Sequence, residues 1–323
     1  MNHAAFDGPE RGPAPGALAA PVTSSAHLPE VGERVVLACV GRTGDVLHAR
    51  LLPPDRTPDA PDVRSRNDAT AVPTGVSLVA RTGLSSDLPV PGEWFGYDVT
   101  NTWTFGSTPY LGGSVAWAGR DVRALGLPPC PLDVRDTWTP DEGLETLGLD
   151  PDALEPVYDD LLAAGPRRVV ELRPPMPAPR RPLAFEEDAI LEAAVLRDVG
   201  DVRGVEDVLN DLTRRDLRAL EAHVAWGEAA FDDATFGGYA GAYRHYAVAV
   251  DVAERTSDLK PDDLTPKGWI ENRPYLHALH GLGLAAWALG RHEEARRTFA
   301  RLLWRDPRDG AGARFLIAHL DAG

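Results

Sequence analysis

Small residues recur along the second half of the chain at a spacing that few folds accommodate. Ala193 and Gly227 lie thirty-four residues apart, each inside a stretch with apolar residues at helical spacing, and Gly283 follows fifty-six residues later. The excess of twenty-two falls in two places: three residues in the turn at 232–241 and nineteen in the Pro- and Asp-rich connection at 257–275. Self-similarity at such a period signals a two-helix unit repeated in a stack, because one helical hairpin cannot cover its own apolar face. A small side chain midway along each first helix lets the second helix approach. Larger side chains of the second helix then fill the seam, as Phe299 and Leu302 do in the last unit.

That period does not extend into the first half. The chain has 323 residues, a length that predicts about two domains. Residues 1–30 are rich in Ala, Gly and Pro and read as a disordered tail, since they offer little apolar surface to offset chain entropy. From residue 31 the pattern turns to strands. Residues 34–40 and 45–52 flank the turn Gly41-Arg42-Thr43-Gly44, and 76–81 supplies a third strand. Phe95, Tyr97 and Val99 alternate with Gly96, Asp98 and Thr100, and 114–117 adds a further strand. Four to six strands in a barrel or a sandwich are expected. Residues 121–127 read as a short helix, Thr139-Pro140-Asp141-Glu142 and Asp150-Pro151 as helix starts, and 168–172 as a last strand. Five prolines between Pro174 and Pro182 then read as an extended spacer.

The fold class expected is therefore α+β and multi-domain. A small β-rich domain with a few helices at 31–173 is followed by a Pro-rich linker at 174–182 and an all-α domain at 183–323. The helical units fall at about 186–219, 220–256 and 276–309, with a capping helix at 310–320.

Charge and cysteine content narrow the function. The formal charge is −16, from 49 acidic and 33 basic side chains, and such an excess repels phosphate backbones and anionic headgroups. Neither nucleic acid nor membrane is expected as partner, and no apolar run approaches the ~20 residues of a membrane span. Cys39 and Cys130 are the only cysteines, too few for a disulfide framework or a thiolate zinc site. The first twenty residues carry Asp7 and Glu10 where an export signal needs positive charge. A cytoplasmic protein without cofactor or metal is expected, and a homo-oligomer stays open.

The third unit carries Leu279, Leu282, Gly283, Ala286, Gly290, Ala295, Phe299, Leu302 and Pro307. The second carries His223, Trp226, Gly227, Ala230, Ala242, Tyr246 and Ala249. The first offers Ala189, Ala193, Leu196, Gly200, Val205, Leu209 and Leu212. At these spacings the region 182–320 resembles the tetratricopeptide repeat family. The first unit departs most, with Leu217 where the family closes on proline and Glu192 where it is apolar. A narrower resemblance joins Asn272-Arg273-Pro274-Tyr275 and Asp306-Pro307-Arg308-Asp309-Gly310 to bacterial repeat proteins, in which such motifs would frame the last unit. The resemblance implies a non-enzymatic adaptor that binds a protein or peptide segment.

In that family the first helices line a concave groove. Carried across, its positions are Glu187, Ile190, Ala194 and Arg197, then Glu221, Val224, Glu228 and Phe231, then His277, His280, Leu284 and Trp287. Phe231 and Trp287 would anchor apolar side chains, and Glu221 and Glu228 would favour a basic segment. The arginine, lysine and asparagine clamp with which some members grip a C-terminal carboxylate is missing. The competing reading makes the helices a lid packed on the β domain, with the same residues buried inside. His277 and His280 stand one turn apart, as two metal ligands can, but no third ligand is evident. A different class of function, an enzyme with a site around His48, Asp98 and Ser114 of the β domain, requires those three groups to converge.

Overall fold

The computed structural model describes residues 28–52, 77–82, 88–139, 160, 163–176 and 188–322. Five strands, β1 (Arg34–Thr43), β2 (Val46–Leu51), β3 (Ser77–Arg81), β4 (Trp94–Phe105) and β5 (Thr108–Gly119), close into a barrel in the order β1-β2-β3-β5-β4. Three consecutive antiparallel strands with β4 returning beside β1 make a Greek key. β5 completes the closure, antiparallel to β4 and parallel to β3, where Val79, Ala80 and Arg81 pair with Tyr110, Leu111 and Gly112. The choice between sandwich and barrel is thus made by one short parallel ladder.

Alternation fills the barrel. Leu37, Cys39, Leu47, Ala49, Leu78, Ala80, Phe95, Tyr97, Val99 and Leu111 form one apolar cluster. The Tyr97 hydroxyl, buried with them, donates to the Arg81 carbonyl at 2.5 Å. β1 departs from alternation because its second face is also covered: Ala38 and Val40 pack with Leu125 and Leu217. That explains the continuous apolar run at 35–40, since a strand buried on both faces loses its polar positions.

A short helix α1 (Val122–Leu125) follows, capped by the Asp121 carboxylate and closed by Gly126 at φ 60°. β6 (Leu132–Trp138) and β7 (Arg167–Leu172) then form a separate antiparallel pair. The strand β6 escaped the sequence reading. This sheet lies on the helical half: Val170 and Leu172 share a cluster with Tyr275, Leu276 and Leu279. The fully buried Asn272 side chain accepts from Leu172 N at 2.9 Å and donates to the Val170 carbonyl at 3.0 Å. Asn272-Arg273-Pro274-Tyr275 therefore ties a strand to a helix start. The helix starts read at 139–142 and 150–151 fall mainly outside the described residues, as do the tail up to residue 27 and the spacer beyond residue 176.

Seven α-helices follow β7 among the described residues: α2 (Ala189–Asp198), α3 (Val202–Arg215), α4 (Leu220–Phe231), α5 (Phe236–Thr256), α6 (Arg273–Ala288), α7 (His292–Arg305) and α8 (Ala313–Ala322), with a single 3-10 turn, Ile270–Asn272, leading into α6. Side-chain caps fix several starts, with Asp188 accepting from Ile190 N and Leu191 N, and Asp309 from Ala313 N and Arg314 N. Each helix packs on the next, and α2 with α4 and α4 with α6 are also in contact. The small residues sit where the spacing required. A Cβ on Gly283 would come within 2.4 Å of the Phe299 ring, and one on Gly227 within 2.6 Å of the Tyr246 ring. The same first-helix to second-helix contact thus occurs in two successive pairs, while Ala193 and Leu209 share a cluster in the first pair.

The barrel docks on α3 and α5. Asn210 accepts from Arg42 N at 2.7 Å and donates to its carbonyl at 2.6 Å, serving as an extra strand partner for the end of β1. Arg244 of α5 forks onto the buried Glu93 and donates to the Leu88 carbonyl at 2.8 Å. Gly92, at φ 92°, lies where a Cβ would meet Val248 at 2.4 Å. Only glycine satisfies both the backbone and the contact there.

Candidate functional site

The helices α4 and α6 leave a cleft of about 200 Å³ between them, lined by Glu228, Phe231, Tyr246, His277, His280, Gly281 and Leu284. Its floor follows from two glycines. A Cβ on Gly281 would meet the Tyr246 ring at 2.4 Å, so Gly227 and Gly281 together admit that ring between the two first helices. Among the described residues the Tyr246 hydroxyl makes no hydrogen bond, and burial raises its pKa above the ordinary phenol value.

Glu228 is the one carboxylate of the lining. Arg197 of α2 donates to it at 3.0 Å from Nη1, and its Nε lies 3.8 Å from Asp232. Phe231 is half-buried and tilted against Tyr239, ring centroids 4.9 Å apart. His277 stands at the exposed rim, where partial burial of its ring, then Lys267, hold it below the ordinary imidazole pKa. His280, 6.2 Å from the Phe299 ring, is lowered by burial and then by His277. Both rings are thus neutral at pH 7, and the cleft is lined by one carboxylate, two aromatic side chains, a leucine and two uncharged imidazoles.

Five of the expected groove residues therefore meet in one cleft: Glu228, Phe231, His277, His280 and Leu284. Arg197 touches it through Glu228. Among the described residues the others do not line it. Val224 is buried in the core at 7% exposure, and Ile190 packs in the cluster of α2, α3 and α4. Ala194 is partly buried on α2, and Glu187 lies outside the described residues. Glu221 is half-buried, its pKa raised by burial and then by Asp188 and Glu271. Trp287 packs against the cluster under α8, its ring 5.3 Å from His319. The sequence placed Tyr246 among the matched positions of the second unit but gave no sign that the facing Gly281 would turn its far end into a floor.

The position of the barrel bears on whether this groove is covered. Asn210, Thr213, Arg244 and Val248, which meet the barrel, belong to α3 and α5, whereas all cleft residues except Tyr246 come from α4 and α6. Five arginines between residues 291 and 314 are held internally. Arg296 pairs with Asp321 at 2.7 Å, Arg314 with Asp309 at 3.4 Å, Arg291 with Glu294 at 3.7 Å and Arg301 with Glu254, while Arg305 donates to backbone carbonyls.

Elsewhere the expected chemistry does not assemble. Asp98 and Ser114 are cross-strand partners, but Arg34 holds the Asp98 carboxylate at 2.5 and 2.9 Å. His48 pairs with Gly41 on β1, seven residues from the Arg34 that pairs with Asp98, about 23 Å along the strand at the usual rise. His48, Asp98 and Ser114 share no cleft. Cys39 and Cys130 are free and buried, their thiols pushed up to about 12 and about 11, mainly by burial, the opposite of an activated thiolate. Among the described residues no group of three or more His, Cys, Asp or Glu is placed to hold a metal, and no helix is long and apolar enough to cross a membrane. No protein-family model matches the chain, and no curated protein is significantly similar to it.

Proposed function

We propose that residues 188–322 act as a short tetratricopeptide-like stack, and that the chain is a non-enzymatic adaptor that takes a segment of another protein along the faces of α4 and α6. The observation that carries this reading is the cleft itself: residues drawn from two successive first helices converge on it, and the barrel rests on other helices. The recurring glycine-to-ring contacts of Gly227 with Tyr246 and Gly283 with Phe299 support the repeat assignment. An exposed concavity with aromatic and aliphatic walls and one charged group suits anchoring side chains of a ligand segment. At about 200 Å³ it is smaller than the ~300–1,000 Å³ usual for small-molecule or cofactor sites.

Affinity capture from native extract with the full chain tests the reading, run beside Phe231→Ala and Leu284→Ala variants whose helical circular dichroism is unchanged. Partners enriched by the parent and lost from both variants are expected. Identical recovery by all three proteins would sink the proposal.

A further inference from the structure

The cleft between α4 and α6 is too small for a folded segment. Its ~200 Å³ equals about seven water volumes, the scale of one long side chain. What that side chain must be follows from the walls. A buried anion would face the Glu228 carboxylate, so an acidic anchor is excluded. A purely aliphatic one would leave Glu228 without a partner on its cleft side. Phe231 and Tyr246 line it with aromatic side chains, Leu284 offers aliphatic surface, and His277 and His280 carry no competing charge at neutral pH. Such a lining suits a cation on an apolar stem.

Arg197 shows which cation the carboxylate accepts. It reaches from α2 to Glu228 at 3.0 Å while about a third of its side chain stays exposed, and its second contact, to Asp232, is a loose 3.8 Å. This is a weakly held internal guanidinium at the cleft margin, one that an incoming guanidinium can match. Guanidinium also stacks on aromatic faces and binds carboxylate in a planar fork, whereas ammonium is compact and strongly hydrated. Resting on the reading of this face as protein-binding, we propose that the cleft is a socket for a single arginine side chain of the bound segment. Its guanidinium engages Glu228 in competition with Arg197, and its stem lies against Phe231, Tyr246 and Leu284.

The test uses the full chain and three probes, N-acetyl-arginine methylamide, the corresponding lysine compound and the citrulline compound, an uncharged isostere of arginine. Binding is followed by the ring resonances of His277 and His280. The arginine probe is expected to give saturable shifts in the millimolar range, with citrulline about tenfold weaker, as loss of a charge-assisted hydrogen bond requires. Glu228→Gln should weaken arginine by about tenfold for the same reason. Arg197→Ala, which removes the competitor, should tighten it by about threefold, the scale of a part-exposed ion pair. A purely structural role for Arg197 would predict the opposite sign. Absence of saturable shifts, citrulline binding as well as arginine, or weakening by Arg197→Ala each overturns the proposal. Should Glu228→Gln fail to fold, the citrulline comparison and Arg197→Ala still decide. Partner capture that depends on Phe231 and Leu284 but is indifferent to Glu228→Gln would reject the arginine socket alone and leave the protein-binding reading standing. Loss of that dependence would reject both.

Discussion

In the barrel, side chains from five strands meet in one cluster although Leu37 and Leu111 stand seventy-four residues apart. In the helical half, by contrast, the decisive contacts run between neighbours: Gly227 against Tyr246 and Gly283 against Phe299 lie within one pair of consecutive helices. The first core is closed by long-range pairing and filled by alternation, the second by short-range approach at small residues. The two also differ in tolerance. A barrel interior absorbs volume-conserving exchanges among its apolar residues, while a glycine against a ring has no smaller substitute.

The sharpest way to break this comparison is at the seam between the two cores. Arg244→Ala leaves Glu93, only 5% exposed, without its cation, and should cost about 3–5 kcal/mol. Urea unfolding read by hydrogen exchange of the barrel amides and by helical circular dichroism is expected to separate into two transitions. A single superimposable transition of unchanged midpoint would show that the two halves do not depend on this contact.

Acid should strike the helical half next. Burial, above all, lowers His223 to about 4 from 6.5, and it lowers His245 in the same direction. Between those pH values the unfolded chain binds the proton that the folded one refuses. The stability is present above pH 6.5 and lost as pH falls towards 4, by up to ~3 kcal/mol for His223. Urea midpoints from pH 7 to 4 measured on the parent and on His223→Gln are expected to show a flatter decline in the variant, and parallel declines would refute the assignment. The cleft histidines give a related dependence: once His277 and His280 are protonated, arginine binding should weaken.

Gly283→Leu probes the short-range packing alone. Forcing a side chain against Phe299 should cost about 1–3 kcal/mol, seen as a lower thermal midpoint in circular dichroism with little change in the hydrogen exchange of the barrel amides. At the small end, Arg34→Ala removes an exposed ion pair with Asp98 on the barrel wall and should leave the urea midpoint unchanged, because solvent and salt screen such pairs. A clear loss there would mean that the barrel relies on its surface more than on its core.

Legibility in the sequence followed the same division. Ala193, Gly227 and Gly283 announced their helix pairs because helical contacts repeat within a few turns, and five groove residues carried over from those positions reached one cleft. Strand existence was readable from alternation at Phe95, Tyr97 and Val99. Strand partnership was not, because β3 and β5 pair across twenty-six intervening residues with nothing local to mark the match. The segment 257–275 read as an insertion. Its Asp263 holds Arg168 at 2.6 Å, and Asn272 ties β7 to α6, roles that depend on residues about a hundred positions away.

By itself the sequence determined where the helices run, which small residues they cross on, and that the overall charge is strongly acidic. These properties are local or additive, so position along the chain suffices to express them. Only the tertiary structure decided that the strands close into a barrel, that the barrel rests on α3 and α5, and that Tyr246 passes between two glycines to floor a cleft. Each of those outcomes is a meeting of groups distant in sequence, and its free energy appears only when both sides are in place.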